Sequence, residues 1–250
     1  MFPRLLLLIP ACASLALAQD RAPAGQKSDQ AVEPVAPAVK KLDETRYQIG
    51  EVIFDGKTRE IRFPAKVNMT GGPLEYLIVQ QNGKLHEALL VTEISPTHLN
   101  LAFTLLRYPA SRELHALPND TGGLSGNFPD VAAEVKAAAR VAIEVEWTEA
   151  GRIRRIPANE WIQHGVKSTA MPAGPWVYGG SGFSEGNFSA ETTGDIAAIF
   201  FASSSLLNYP GDDNNDDNVW TPFPKRIPAE GTNVTVIIAP YQNAQPLPKP

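Results

Sequence analysis

The segment GDDNNDDNVW holds the densest group of oxygen-bearing side chains in this 250-residue sequence. Residues 212–218 are four aspartates and three asparagines. Every second position matches the spacing with which calcium-binding loops turn successive oxygen ligands inward. Neighbouring carboxylates repel one another, and a bound cation would relieve that repulsion. The candidate calcium ligands are Asp212, Asn214, Asp216, Asp217 and Asn218.

Two other interpretations of this loop stay open. In a helix-flanked calcium loop that began at Asp212, Asp217 would replace the glycine and Phe223 would replace the bidentate glutamate. Pro222 and Pro224 would also prevent the exiting helix. Asp and Asn are favoured in solvated turns as well. The sequence therefore allows a cation site, another functional role or a plain turn.

A histidine–glutamate pair opens the run HEALL as the zinc-protease motif H-E-x-x-H would. That motif needs two imidazoles one helical turn apart on one face. Leu90 stands where the second histidine would be, and the run alternates like a strand. We interpret His86 and Glu87 as a structural pair at a strand edge, and we keep both as candidate ligand-binding residues.

The run WVYGGSGF suggests two further kinds of site. A nucleophile elbow requires G-x-S-x-G, but Phe183 occupies the place of the last glycine. A dinucleotide fingerprint requires a glycine where Glu185 stands. The glycines therefore favour a tight turn or a close approach of another backbone. Ser181 is kept as a residue that could line a ligand pocket.

The first twenty residues, MFPRLLLLIPACASLALAQD, have the layout of a secretory signal peptide. Cleavage after Ala18 removes Cys12, which is the single cysteine of the sequence. The mature chain would then carry no disulfide, no thiol nucleophile and no cysteine-held cluster. A lipoprotein signal, cut before Cys12, is the alternative. We therefore expect an exported protein, whether periplasmic, secreted or at the cell surface.

Composition divides the chain into four parts. Residues 1–18 form the signal, and residues 19–46, rich in Pro, Ala and charge, predict a flexible tether. A single domain is expected over 47–241, and 242–250 reads as a disordered tail. No later stretch approaches the roughly 18 apolar residues of a membrane span. The net charge of −5, without a run of Lys and Arg, argues against nucleic acid as a partner.

Three hairpins and one helix are predicted within the domain. Asp-Gly and Asn-Gly between alternating runs are strong hairpin signals. The hairpins are expected over 49–63 around Asp55-Gly56-Lys57, over 74–92 around Asn82-Gly83, and from VAIEVEW to RIRRIPA. Ser95 and Pro96 predict the start of a helix with Leu99 and Phe103 on its apolar face.

Further strands are predicted in WVYGG, DIAAIFF and NVTVIIA, with one helical turn in ANEWIQHG that ends at Gly165. DIAAIFF is apolar on both sides, which is typical of a central strand. Strands outnumber helices clearly. The expected fold class is α+β, with a strand-rich, mostly antiparallel sheet and one main helix packed on it.

The sequence resembles the YdjY-like family of exported, largely uncharacterised bacterial proteins. The similarity is carried by runs such as REIRFPA, GKLHEALL, WVY, LLN and the Asp216-Asp217 pair before Trp220. One departure is Arg107-Tyr108, where a glycine is expected after the helix. The family has no established activity or ligand, so the resemblance implies a shared pattern rather than a function. Trp220 lies in that pattern and is a candidate ligand-binding residue.

Two functions from different classes follow from these residues. The first is an exported, non-catalytic module that binds a small molecule or a cell-envelope protein through loops at one end of the sheet. The second is a calcium-type metal-dependent enzyme or hydrolase that uses the acidic loop, residues 212–217. The absence of a complete nucleophile constellation in the sequence favours the first.

Overall fold

The computed structural model describes residues 38–211 and 213–242. Its strands are β1 (Lys40–Lys41), β2 (Arg46–Ile49), β3 (Val52–Asp55), β4 (Ile61–Val67), β5 (Tyr76–Gln80), β6 (Ala88–Thr92), β7 (Arg140–Glu149), β8 (Arg152–Pro157), β9 (Ile162–His164), β10 (Trp176–Tyr178), β11 (Phe183–Ser184), β12 (Asn187–Phe188), β13 (Asp195–Ala198), β14 (Leu207–Asn208), β15 (Trp220–Pro222) and β16 (Asn233–Pro240). Its α-helices are α1 (Pro96–Leu105), α2 (Ala133–Ala138) and α3 (Ser189–Thr193). Leu85–Glu87 and Ala158–Trp161 form short 3₁₀ helices.

Eight of these strands close into a barrel. The order runs β4, β16, β7, β10, β14, β13, β5 and β6, and β6 pairs back onto β4. β5–β6 and β13–β14 are parallel pairs within it. The predicted α+β sheet with one main helix packed on it is therefore wrong. Alternating residues specify strands locally, but they do not specify which strand edges meet, and closure depends on those edges.

The barrel buries one side of each long strand. In β4, Ile61, Phe63 and Ala65 are buried while Arg62 and Pro64 face outward. β7 and β16 show the same alternation, and β16 lies between β4 and β7. The inward side chains join one contiguous apolar core, as expected for a period-2 pattern. The outward faces of these strands carry most of their polar residues.

Two of the predicted hairpins are confirmed. β3 and β4 pair antiparallel after a turn in which the Asp55 carboxylate accepts from the amides of Lys57 and Thr58. β7 and β8 pair around Ala150 and Gly151, whose φ angles are 48° and 74°. Such positive φ values suit the turn type that matches strand twist.

The predicted hairpin around Asn82-Gly83 is wrong, because β5 and β6 run parallel. β6 also pairs antiparallel with β4, and this second partner sets its direction. After β5, the chain therefore runs back beside this strand through a turn and the 3₁₀ helix Leu85–Glu87. β6 then begins opposite the start of β5 and runs in the same direction. The run IGEVIF also differs from expectation, since it breaks at Gly50 into a β2–β3 hairpin.

Helix α1 confirms the predicted cap. The Ser95 hydroxyl accepts from the amide of His98, and Leu99 and Phe103 are buried. After the helix, Arg107 has a φ of 59°, the left-handed conformation in which glycine is favoured. The missing glycine therefore falls at a position that requires a positive φ. Ile162–His164, predicted as part of a helical turn, is strand β9. Of the predicted strand DIAAIFF, only Asp195–Ala198 forms a strand, β13, which lies between β14 and β5 as expected of a central strand.

The predicted signal segment, residues 1–18, residues 19–37 of the predicted tether and all but residue 242 of the predicted tail, residues 242–250, lie outside the described residues. The tether was predicted to extend to residue 46, and within that range Lys40–Lys41 form β1 against β2. Among the described residues, no helix is both long and apolar enough to cross a membrane.

Truncation of a barrel-core side chain should destabilise the fold strongly. Ile238 is fully buried and lies between Ile61 of β4 and Ile143 of β7. We expect Ile238→Ala to lower the free energy of unfolding by about 2–5 kcal/mol, because it leaves a cavity in a packed core. The matched control is Ile153→Ala, whose side chain is exposed on β8 and should cost less than about 0.5 kcal/mol. Urea unfolding measures both, and equal losses would contradict this description of the core.

Candidate functional site

The described part of the acidic loop is a hydrogen-bonded turn. Asn214 donates its side-chain amide to the Tyr209 carbonyl (3.1 Å), and its own carbonyl accepts from Phe201 (2.7 Å). The Asp216 carboxylate accepts from the Asn218 amide at 2.9 Å. Asp217 accepts from the Asn218 side chain, and Asp212 lies outside the described residues. Among the described residues, no group of three His, Cys, Asp or Glu is placed to hold a metal ion.

His86 and Glu87 lie in the 3₁₀ helix before β6, so their predicted position at a strand edge is wrong. The His86 side chain is 80% exposed, and its Nε2 is 3.8 Å from Glu87 Oε2. Lys84 Nζ lies 3.0 Å from Glu87 and 3.3 Å from Glu75. Glu87 is therefore held by a lysine, and His86 faces solvent beside it.

Ser181 has a structural role in the turn that its glycines suggested. Its buried hydroxyl donates to the Ser204 carbonyl (2.6 Å) and accepts from the Ala190 amide in α3 (3.1 Å). The Arg112 guanidinium donates to the Ser181 carbonyl. Trp220, in β15, is buried with its ring 5.9 Å from the ring of Tyr209. Neither Ser181 nor Trp220 lines the two cavities that are described below.

His115 was not singled out by the sequence, yet it lies in an unusual environment. Its half-buried ring packs edge-on to Phe201 (5.1 Å), and its Nε2 accepts from Arg112 at 2.9 Å. The ring also lies so near Gly179 that a Cβ there would be 3.2 Å from it. Burial, with a smaller effect of the Arg112 charge, lowers the pKa of His115 from 6.5 to about 4. His115 is therefore neutral at physiological pH and ties its loop to the glycine turn.

The larger cavity is a groove of about 660 Å³ on the outer face of the barrel. We call it the outer groove. Its lining residues are Glu51, Pro64, Ala65, Lys66, Gln81, Val91, Thr92, Glu93, Glu146, Trp147, Thr148, Ile153, Asn233, Val234 and Thr235. They come from the β2–β3 turn, from β4, β6, β7, β8 and β16, and from the residues that directly follow β5 and β6. A second depression of about 540 Å³ lies beside α2 and Tyr241.

Strand register arranges the floor of the outer groove in two rows. In the first row, Pro64 pairs with Thr235, and Thr235 pairs with Glu146 on its other side. In the second row, Lys66 pairs with Asn233, while Thr148 pairs with Ile153 of β8. Paired residues of neighbouring strands lie on the same face. The floor is therefore polar and β-branched, and Ile153 gives it one apolar end.

Pro64 explains why the floor is open at its other end. Its carbonyl accepts from the Thr92 hydroxyl at 2.6 Å, so the edge of β4 that carries it faces β6. A proline has no N–H to donate on that edge. On this edge of β4, β3 pairs with Ile61 and Arg62, and β6 pairs with Lys66 and Val67. A gap between β3 and β6 therefore lies beside Pro64.

Ion pairs hold the neighbouring part of the outer face. Arg62 lies 2.8 Å from Glu60 and 3.4 Å from Glu146, and Arg155 of β8 lies 3.5 Å from Glu60. Arg155 also donates to Glu144 at 2.9 Å. This network links β4, β7 and β8 on the outer face of the barrel and holds one wall of the outer groove.

A family model described as the YdjY domain matches residues 52–239. The chain belongs to this family. The match covers β3 and continues into β16, so the strands that line the outer groove belong to the YdjY domain. A search of curated proteins and a search of solved structures each found no match.

Sequence reasoning missed the outer groove of this YdjY domain entirely. Its lining residues are ordinary polar and apolar side chains from distant parts of the chain, and none belongs to a catalytic or metal-binding motif. The available signal was weak: a proline in the middle of the alternating run IRFPAKV. Proline inside a strand indicates an edge or an interruption of pairing, and here the interruption opens the groove.

Removal of the Ser181 hydroxyl should destabilise the glycine turn. We expect Ser181→Ala to cost about 1–3 kcal/mol, because the Ala190 amide and the Ser204 carbonyl both lose a buried partner. Ser184→Ala, at an exposed position in β11, is the control and should stay within about 0.5 kcal/mol. Chemical denaturation measures both variants. A Ser181→Ala variant as stable as the control would show that the hydroxyl bridge contributes little.

Protonation of His115 should favour unfolding in mild acid. Its folded pKa of about 4 lies below the ordinary value of 6.5. The unfolded chain therefore takes up the proton first, and stability is lost as pH falls from about 6.5 to about 4. His115→Gln should remove that part of the loss, as measured by urea unfolding at pH 7 and pH 5. His86→Gln, at an exposed site, should keep the full loss, and an equal response of both variants would refute the assignment.

Proposed function

We propose that this YdjY domain is a non-catalytic binding module whose ligand lies in the outer groove. The observation that carries the proposal is the groove itself: about 660 Å³, with a floor that strand register makes rigid. Ligand sites typically occupy concave spaces of roughly 300–1,000 Å³. A site built on strands also keeps its side chains in place more precisely than a site built on loops.

The lining of the groove supports binding by hydrogen bonds and apolar contact. Asn233, Thr235 and Thr148 offer amide and hydroxyl groups on the floor. Val91 and Ile153 add apolar surface at its sides. Such a mixture orients a small ligand or a short extended segment and buries its apolar part. Recognition of a polar, partly apolar molecule therefore fits this surface better than chemistry on it.

The calcium-dependent alternative has less support. It rests on the acidic loop, in which Asn214 and Asp216 already serve the turn through their hydrogen bonds. We place the module outside the cytoplasm on the basis of the N-terminal segment alone, which has the composition of a secretory signal. A ligand from the cell envelope or the surroundings is therefore the expected class.

A fragment screen tests this function. Amide chemical shifts of the labelled chain would be recorded against a set of amines, sugars, amino acids and short peptides. We expect the hits to perturb the amides of Lys66, Thr148 and Asn233, because fragments collect in the concave site that a natural ligand uses.

The control is a pair of tryptophan substitutions. Thr235→Trp fills the middle of the groove floor, and Thr104→Trp places the same side chain on the exposed face of α1. Binding should disappear in Thr235→Trp and persist in Thr104→Trp, with both variants folded by circular dichroism. Hits that cluster at His86 or at the turn 213–218, or that survive Thr235→Trp, would refute the proposed site.

A further inference from the structure

The outer groove carries carboxylates at two separated places. Continuing the β3–β4 register by two residues from Ile53↔Arg62 brings Glu51 beside Pro64. Continuing the β6–β4 register from Val91↔Lys66 brings Glu93 beside the same proline. Both glutamates line the groove and both are exposed. The β2–β3 turn and the end of β6 thus lie along the same edge of β4, on either side of the gap beside Pro64, and each carries a carboxylate that lines the groove.

The second place is on β7. Glu146 lies in the row of Pro64 and Thr235, two strands away from Pro64. Neighbouring strands are about 4.8 Å apart, so Glu146 is roughly 10 Å from Pro64 and about 14 Å from the edge that carries Glu51 and Glu93. The floor between the two places consists of Pro64 and Thr235, which bear no charge. A linear ligand lying across the strands would meet negative charge at both ends.

The cations already present leave the groove with a negative balance. Lys66 is the one basic residue among the lining residues, and its Nζ is 3.7 Å from Glu93 with both side chains exposed. Two guanidiniums lie near Glu146, since Arg62 contacts it at 3.4 Å and Arg155 is its cross-strand partner on β8. Both also pair with Glu60, and Arg155 pairs with Glu144, so these carboxylates outnumber the two cations. Glu51 forms no ion pair with any other described residue. Exposed pairs of this kind contribute little and can be exchanged for a ligand.

We propose that the outer groove takes a linear ligand with two ammonium groups about 10–14 Å apart. One ammonium lies between Glu51 and Glu93, and the other lies at Glu146. The methylene chain between them crosses Pro64 and Thr235, and the apolar side chains of Val91 and Ile153 border its path. Free polyamines and lysine side chains of an extended peptide share this chemistry. The inference rests on the proposed binding function and names its ligand class.

Calorimetry with spermidine as the probe tests the proposal. Spermidine and 1,8-diaminooctane are both long enough for their terminal ammonium groups to reach both places, and diaminooctane carries no charge between them, which controls for the central ammonium of spermidine. Diaminopropane is too short, and butylamine has a single charge. We expect spermidine and 1,8-diaminooctane to bind about threefold to fivefold more tightly than diaminopropane or butylamine, because each satisfies one further exposed charge pair. The difference should shrink as salt is raised, since exposed charges are screened.

Three variants examine the two ends of the groove. Glu51→Gln with Glu93→Gln, and separately Glu146→Gln, should each weaken spermidine about threefold to tenfold and leave butylamine nearly unchanged. Glu149→Gln is the matched control, since this exposed carboxylate lies on the same strand but outside the groove lining. A short peptide with two lysines four residues apart, compared with its acetylated form, distinguishes a peptide source from a free polyamine.

The outcomes distinguish failure of the proposed ligand class from failure of the proposed binding function. Spermidine binding that depends on both ends and vanishes in Thr235→Trp supports the proposal. Spermidine binding that persists in all the groove variants would reflect the net charge of −5 and overturn the proposal. Failure of spermidine and of the dilysine peptide, while neutral fragments bind in a Thr235-dependent way, would overturn the ligand class and leave the binding function intact.

Discussion

The pairing of β4 with three strands is the constraint on which the rest of the structure depends. One edge of β4 pairs along its length with β16, while the other edge is divided between β3 and β6. The contact with β6 closes the barrel and sets the direction of β6, which makes it parallel to β5. Pro64 stands where the divided edge changes partner, and its missing donor keeps the two strands from meeting. Closure and the open end of the outer groove therefore have one origin.

Closure also decides what fills the interior of the barrel. The inward faces of β4, β7 and β16 are filled by an apolar core whose large members, such as Phe63 and Trp176, are fully buried. An eight-stranded barrel can enclose its own side chains or one small ligand, and here side chains occupy the interior. The outer groove lies on the other face, where the ion pairs of Arg62 and Arg155 hold β8 and the register of three strands sets the floor of the groove.

The residues that the sequence singled out by their chemical type contribute to local structure. Ser181 and Asn214 satisfy backbone groups of neighbouring loops, Glu87 pairs with Lys84, and His86 is exposed. Their chemistry is that of turns, in which short polar side chains replace missing backbone partners. The outer groove, in contrast, is lined by common residue types, and its proposed role depends on how the strands arrange them. In this domain, the residue types of a short segment therefore do not indicate which surface is proposed to bind a ligand.

By itself, the sequence determined the local elements: the cap of α1 at Ser95, the turns at Asp55 and Gly151, and the strand of residues 233–239. These depend on neighbours a few positions away, so propensity, periodicity and turn chemistry suffice for them. It also determined the family. Tertiary structure alone decided that β5 and β6 are parallel, that the sheet closes, and that Glu51, Glu93 and Glu146 border one groove. Those features depend on which edges pair over long separations, and such pairing leaves no signal in any single segment.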